Sequence, residues 1–389
     1  MGDKPCFVFI LGTTRSGKKL IRSLLDGHPD VLMWPFEFPF FTNFKEIAGT
    51  SRKVSISKIN HGLILPKFQK HLIKDSDPSA SFDFSVFQKE IEKRQDEEMD
   101  AISYLYYLFQ ALNSAHNDYM DNPVKYYAMI CLGLSIDWND HALIESAYFI
   151  FAYRDMIKSY ASTRGKRLAD NVSLYSFFNP KRGKNALYYM ETFQLFSNII
   201  KDHLHKRNFH IVPLNQMQQN PDKTLTNICK FLLIEDHPAL SHLTVLGQPY
   251  KGNMQEKGLN QGKISPRPSK LMTPLCSFEK RIFDLLDLFS YESEKMIFSK
   301  KFGFIEMVRS AFSSAFIEIP DDKLTSKKNT RKIVILCRRS LILIYFFVIY
   351  CVIRNVPFSK LLKYKEDLYI RAVKDPNFWI TKNQSVIRE

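Results

Sequence analysis

The chain has 389 residues, 45% of them apolar and 24% charged, with 32 Phe against only 14 Gly. This is enough for one large core or two smaller ones, and it excludes disordered, collagen-like and Gly-rich low-complexity readings. The formal charge is +15, but residues 323–365 hold eleven Lys or Arg and no acid, which leaves +4 on the other 346 residues. An anionic partner is implied, and it belongs to that segment; the remainder needs no nucleic-acid surface to explain the excess. Cys6, Cys131, Cys229, Cys276, Cys337 and Cys351 stand singly with no CxxC pair. Reduced thiols of a cytosol-facing protein fit that usage. A strand-like run beginning at Cys6, with no cleavage site, argues against a signal peptide.

Residues 6–11 form a short β-branched and aromatic run that predicts a buried strand. Gly12-Thr-Thr-Arg-Ser-Gly-Lys-Lys19 follows. Leu20, Ile21, Leu24 and Leu25 then repeat at helical spacing until Gly27 and Pro29 stop the helix. Residues 32–34 are a second strand-like run. The stretch 45–82 is polar, carries Pro66 and Pro78, and reads as an irregular insertion near the mouth of a sheet. A helix is expected over 84–113, charged from Lys89 to Asp100 and then aromatic at Tyr104, Tyr106, Tyr107 and Phe109. Those rings are assigned to core, with an acceptor-side wall as the alternative. Further strands are expected at 126–132, 147–153 and 209–214, and a helix near 184–206. Strands alternating with helices predict a three-layer α/β fold around a central parallel sheet. The expected domains are 1–310, catalytic, and 311–389, a basic tail with an apolar helix at 340–353.

The loop between the first strand and helix is a ready anion site. Backbone N–H groups and the helix dipole face whatever sits above it. The candidate cradle is Gly12, Thr13, Thr14, Arg15, Ser16, Gly17, Lys18 and Lys19. Its two glycines let the backbone curl, Ser16 offers a hydroxyl, and three cations add charge. The spacing Gly12-x4-Gly17-Lys18 is that of a nucleotide P-loop. Lys19 stands where a metal-holding Ser or Thr would follow, so the loop neutralises its anion with side chains alone. A tight turn with surface basics is the bland alternative. A P-loop kinase or NTPase is the other enzyme reading, but it lacks a plain acid at a strand end, because Asp155 follows an Arg. His203 and His205 have no metal-ligand company, and no metal is expected.

Thr14-Arg-Ser-Gly17, then the helix, then Gly27-His-Pro-Asp-Val31, resembles the 5′-phosphosulfate loop of the sulfotransferases. The resemblance implies a P-loop-kinase-like fold, 3′-phosphoadenosine 5′-phosphosulfate (PAPS) as donor, and no metal. The family's usual two hydroxyl residues are Lys18 and Lys19 here. Arg154-Asp155 at a strand end, with Ser162 eight residues after Arg154, is similar to the family's grip on the 3′-phosphate. A guanidinium fork suits phosphate oxygens. Met156 replaces the usual Pro. Residues 209–232 are similar to a later strand–helix block, although the usual Tyr-Glu-Asp is missing. Residues 247–253 look like the late basic loop, which implies a nucleotide contact for Lys251, with Lys257 and Lys263 beyond. These blocks span residues 5–300. The implied function is transfer of a sulfuryl group from PAPS to a hydroxyl of a glycan, lipid-linked sugar or other membrane-associated acceptor. A degenerate protein that only binds nucleotide or membrane is the non-catalytic alternative.

Sulfuryl transfer needs a group that takes the acceptor's hydroxyl proton. Glu37 is the candidate base, with burial among Trp34, Phe36, Phe38 and Phe40 expected to help it hold a proton. The alternative is a pairing with Arg15 or a loop Lys. His28, before a Pro at a helix end, suits capping or packing better than catalysis. Arg15, Lys18 and Lys19 would stabilise charge on the leaving bisphosphate, at about 3 kcal/mol per group. Residues 340–353 carry no charge, but as a helix they span only ~21 Å of a ~30 Å hydrocarbon core. A monotopic anchor on an anionic, cytoplasmic leaflet through 323–365 is expected. A single span with snorkelling Arg338 and Arg339 and a docked helix are the alternatives.

Overall fold

A computed structural model of the protein describes residues 4–49, 53–66, 81–116, 124–131, 140–155, 205–249, 289–292 and 295–298, with 51, 68, 136, 138, 158–159, 162, 196, 199–200 and 202–203 besides. The chain divides into two compact units. One holds Met1–Gly12, Ser16–Tyr153 and His203–Pro268. The other holds Thr13–Arg15, Arg154–Asp202 and Ser269–Glu389.

The first unit is built on a parallel sheet. Its strands are β1 (Cys6–Gly12), β2 (Val31–Met33), β5 (Tyr126–Ile130), β6 (Tyr148–Tyr153) and β7 (Phe209–Pro213), with β3 (Val54–Ser55) and β4 (Glu98–Met99) forming a separate antiparallel pair. The order across the sheet is β2-β5-β1-β6-β7, and every neighbouring pair is parallel. These five strands are the five expected ones. Each is a nearly continuous apolar run because both faces of a parallel sheet are covered.

Alternation along β1 sorts the two faces. Val8 and Ile10 pack with Ile21, Leu24 and Leu25 of α1 (Lys18–Leu25) and with Ile228 and Leu232 of a helix at Pro221–Leu232. Phe7 and Phe9 face an aromatic layer. Phe7 meets Tyr106 at 4.4 Å, and Phe109 stacks on Tyr127 at 4.8 Å. Tyr104 and Phe109 are fully buried, so the aromatic stripe is core. Each such side chain contributes about 1.5–3 kcal/mol by leaving water.

The expected single helix over 84–113 is two: α3 (Phe84–Glu92) and α4 (Ala101–Ser114). Two acids start them. Asp83 accepts from the amides of Ser85 and Val86, and Asp100 from those of Ile102 and Ser103. The charged run between them turns and returns as β4, because an Asp in extended backbone caps a new helix better than it continues an old one. The insertion at 45–82 is also less irregular than expected over its described residues. It begins with α2 (Phe40–Ala48), continues through β3 and a helical stretch over 56–64, and buries Val54, Ile56, Ile59 and Ile64. Asn60 ties it down, donating to the Ile91 carbonyl at 2.6 Å and accepting from the Tyr104 hydroxyl. Its apolar residues follow no single period, which hid the order from the pattern.

In the second unit, Phe289–Glu292 and Lys295–Phe298 pair as an antiparallel hairpin that the pattern did not indicate. Of the helix expected near 184–206, residues 196, 199–200 and 202–203 are helical, and 205–206 lie in a turn. The tail, 311–389, and its apolar segment 340–353 lie outside the described residues. Among the described residues no helix is long and apolar enough to cross a membrane.

Burial holds His28, His203 and His210 below the usual imidazole range, His203 down to about 4. The unfolded chain binds protons that these three refuse in the fold, so their contribution is present above the unfolded value, about 6.5, and is lost as pH falls toward the folded values. The melting temperature is therefore expected to drop between pH 7 and 5, above the carboxylate range. His203 stacks on Phe209 and packs against Trp138, and His203→Phe should flatten part of that slope. An unchanged slope in thermal melts across this range would remove His203 from the account.

Candidate active site

The connections diverge between the adjacent parallel strands β1 and β6. The connection after β1 runs to the β2 side, and β6 leads to β7 at the other edge. Open α/β sheets take ligands at the carboxyl ends of strands at such a switch point. Gly12 closes β1 there with φ 142, and its neighbour across the sheet is Ala152. A Cβ on Gly12 would lie 2.4 Å from the Ala152 carbonyl oxygen and 2.5 Å from Ser16 Oγ. The tight approach and the positive φ together require glycine. Gly17, φ 104, caps α1, and a Cβ there would meet Leu214 at 2.7 Å. Arg15 has φ 65, a left-handed backbone that is uncommon outside glycine and clusters at ligand-binding turns.

No side chain caps α1, and no acid lies in its first turn. Its positive end is left to the loop and to whatever anion the loop takes. Lys18, the first helical residue, is buried. Its Nζ donates to the Gly12 carbonyl at 3.0 Å and pairs with Glu37 Oε1 at 2.9 Å. The ammonium therefore bridges the strand end to the candidate base.

Glu37 sits just past β2. Trp34 extends that strand by donating to the Ala128 carbonyl at 2.7 Å. The rings of Trp34, Phe36, Phe38 and Phe40 are buried, but the Glu37 side chain is 33% exposed. This corrects the expected apolar burial. On either side of Glu37 the rings of Phe36 and Phe38 are buried, while its carboxylate reaches the loop. Its partner is a loop lysine, as the alternative reading had it.

The middle of the loop, Thr13–Arg15, belongs to the second unit and is held there by residues after β6. Arg154 Nη1 donates to the Arg15 carbonyl at 3.2 Å, and Ser159 Oγ donates to the Thr14 carbonyl. Asp155 accepts from the Lys158 amide at 2.9 Å and its carbonyl from the Ser159 amide at 2.8 Å. It starts the next helical turn, a capping role for the acid beside Arg154. Ser162 is helical and half-buried. Met156 lies outside the described residues.

Two residues of this arrangement escaped the sequence reading. Ser159 carries no pattern of its own; its signal is Asp155 four residues earlier, the start of a helical turn. Arg22 is buried on α1, with Nη1 on the Pro35 carbonyl and Nη2 on Ser23 Oγ at 3.2 Å. Its spacing of four from Lys18 was the available signal.

His28 does cap. Its Nδ1 accepts from the Asp30 amide at 3.1 Å, so Nε2 donates to the Glu235 carbonyl at 2.9 Å. The late loop is described to Pro249. Gly247 and Leu246 donate to the Asp26 carboxylate at 2.9 and 3.1 Å. Asp26 ends α1, so this segment starts at the helix end away from Lys18. Lys251, Lys257 and Lys263 lie outside the described residues. Among the described residues no group of three or more His, Cys, Asp or Glu could hold a metal ion.

A family model described as the sulfotransferase family matches residues 5–238. The chain belongs to that family. The matched span contains the loop, Glu37, Arg154 and Ser162, and ends before Lys251. No curated protein matches the chain. Among solved structures, the sulfotransferase domain of the Synechococcus PCC 7002 olefin synthase is similar at 17% identity, covering 68% of this chain and 86% of that one, with a TM-score of 0.40. The sulfotransferase domain of the curacin biosynthetic pathway is similar at 15%, covering 73% and 98%, with a TM-score of 0.38. Sulfotransferase STF9 of Mycobacterium avium is similar at 14%, covering 61% and 66%, with a TM-score of 0.33.

Proposed function

We propose that the protein transfers a sulfuryl group from PAPS to a hydroxyl of a glycan, lipid-linked sugar or other membrane-associated acceptor. The observation that carries this is the buried Lys18 joining the Gly12 carbonyl to Glu37 in a chain of the sulfotransferase family. The loop fits an anionic donor: a start of α1 with no side-chain cap, two positive-φ glycines, and the cations Arg15, Lys18 and Lys19. Bound PAPS would supply the activated sulfuryl group. Lys18 and Arg15 stabilise negative charge at the loop, and Glu37 takes the proton from the acceptor oxygen. Arg154, with Ser162, serves the 3′-phosphate. The acceptor class rests on residues 323–365, whose cations flank an uncharged apolar run suited to an anionic membrane surface.

One structural detail disfavours a magnesium-dependent kinase. Asp155, the acid at the end of β6, accepts the Lys158 amide as a helix cap. Calorimetric titration with 3′-phosphoadenosine 5′-phosphate (PAP) and with ATP–Mg²⁺ separates the readings. PAP should bind the more tightly, and Arg154→Ala should cost PAP about 1.5–3 kcal/mol while leaving AMP nearly unchanged. Preference for ATP–Mg²⁺ would favour the kinase; binding of neither would favour the non-catalytic protein.

A further inference from the structure

We propose that Arg22 is the positioning residue of the Lys18–Glu37 pair: it locks the turn after β2 onto α1 so that the Glu37 carboxylate meets the loop. The inference deepens the sulfotransferase reading and rests on it for the role of Glu37.

Arg22 and Lys18 lie four residues apart on α1, one turn along the same face. Both are buried cations, and both reach the same short segment. Lys18 takes the Glu37 carboxylate at 2.9 Å. Arg22 Nη1 takes the Pro35 carbonyl, two residues earlier, while Nη2 is braced on Ser23 Oγ at 3.2 Å. Upstream, the segment is fixed by the Trp34 amide on Ala128. Pro35 has no amide of its own to donate, so its carbonyl is the polar handle by which the main chain can be held at that residue. The guanidinium is a rigid fork, able to hold a carbonyl and a hydroxyl together; an ammonium is a point charge on a flexible stem. An arginine among Ile21, Leu24 and Leu25 is costly to bury, and a fixed backbone carbonyl beside the candidate base is what that burial secures.

The test uses the full-length protein with Arg22→Lys, which keeps the charge and loses the fork, and Ser23→Ala, which loses only the brace. The first readout is turnover against PAP affinity. Arg22→Lys is expected to lower kcat by at least half of the Glu37→Gln loss on a logarithmic scale, with PAP Kd changed by less than about threefold. Ser23→Ala should move kcat the same way by less. In a Glu37→Gln background, Arg22→Lys should add nothing; a full additive loss would overturn the proposal.

The second readout needs no activity. Acetic anhydride labelling of lysines, read by mass spectrometry, reports how well Lys18 is held. Glu37→Ala, which removes the oxygen that holds Lys18, and Arg22→Lys should both raise Lys18 labelling several-fold. Lys125, paired with Asp30 at 2.9 Å, should stay unchanged. Lys18 labelled at the wild-type rate in Arg22→Lys overturns the proposal, and so does a parallel rise at Lys125, which marks general loosening. If Glu37→Gln retains turnover while Glu37→Ala and Arg22→Lys both expose Lys18, the assignment of the base fails and the positioning by Arg22 stands.

Discussion

Glu37→Gln should lower turnover by about 10²–10⁴-fold, the usual contribution of a positioned general base, and leave PAP affinity within a few-fold of wild type. Gln has the same length and keeps an oxygen for Lys18, so the 2.9 Å contact and the bridge from Gly12 can persist. What it cannot do is take a proton. The carboxylate is well placed for that exchange because it is a third exposed, reachable by an acceptor, while its other side is held by the ammonium. Loss of PAP affinity in step with turnover would mean that Glu37 serves to hold Lys18 in the loop. Turnover retained within a few-fold would place the base elsewhere. Single-turnover measurements at saturating donor distinguish these outcomes from slow product release.

The parallel sheet was legible because its strands are apolar on both faces, and a run such as residues 6–11 needs no partner to be recognised. The loop was legible because two glycines, a lysine and a strand-to-helix junction coincide. The environment of Glu37 was not. Its aromatic neighbours suggested an apolar pocket, but the rings are buried while the carboxylate reaches Lys18, and that depends on the course of the turn after β2. The break between α3 and α4 was present as two Asp residues with capping geometry, masked by a high density of helix formers between them. Arg22 was hidden for another reason. A basic residue within an apolar helical repeat is ordinarily taken as a snorkelling surface residue, and only the tertiary contact with Pro35 shows it buried. Ser159 has the same cause: its partner, the Thr14 carbonyl, is 145 residues away in the chain.

Gly12→Ala should be among the most disruptive single substitutions in the protein. Two costs combine at this position. At φ 142 any L side chain is strained, at about 1–3 kcal/mol. The new Cβ would also sit 2.4 Å from the Ala152 carbonyl, a backbone atom of the neighbouring strand that cannot swing aside as a side chain can. Relief requires β1 and β6 to part at the point where the loop begins, or the loop to lift from Ser16, whose Oγ lies 2.5 Å from the same Cβ. Either movement displaces the carbonyl that holds Lys18. PAP binding and melting temperature should therefore fall together. Gly49→Ala provides the comparison. Gly49 also has positive φ, at 60, but a Cβ there meets nothing within 4 Å. It should cost about 1–3 kcal/mol from conformation alone and leave PAP binding intact. The difference between the two variants, measured by thermal or denaturant unfolding, isolates the contact with Ala152. Equal destabilisation, with PAP binding preserved in both, would mean that the loop relaxes around a side chain and that the close approach of β1 to β6 does not shape the donor cradle.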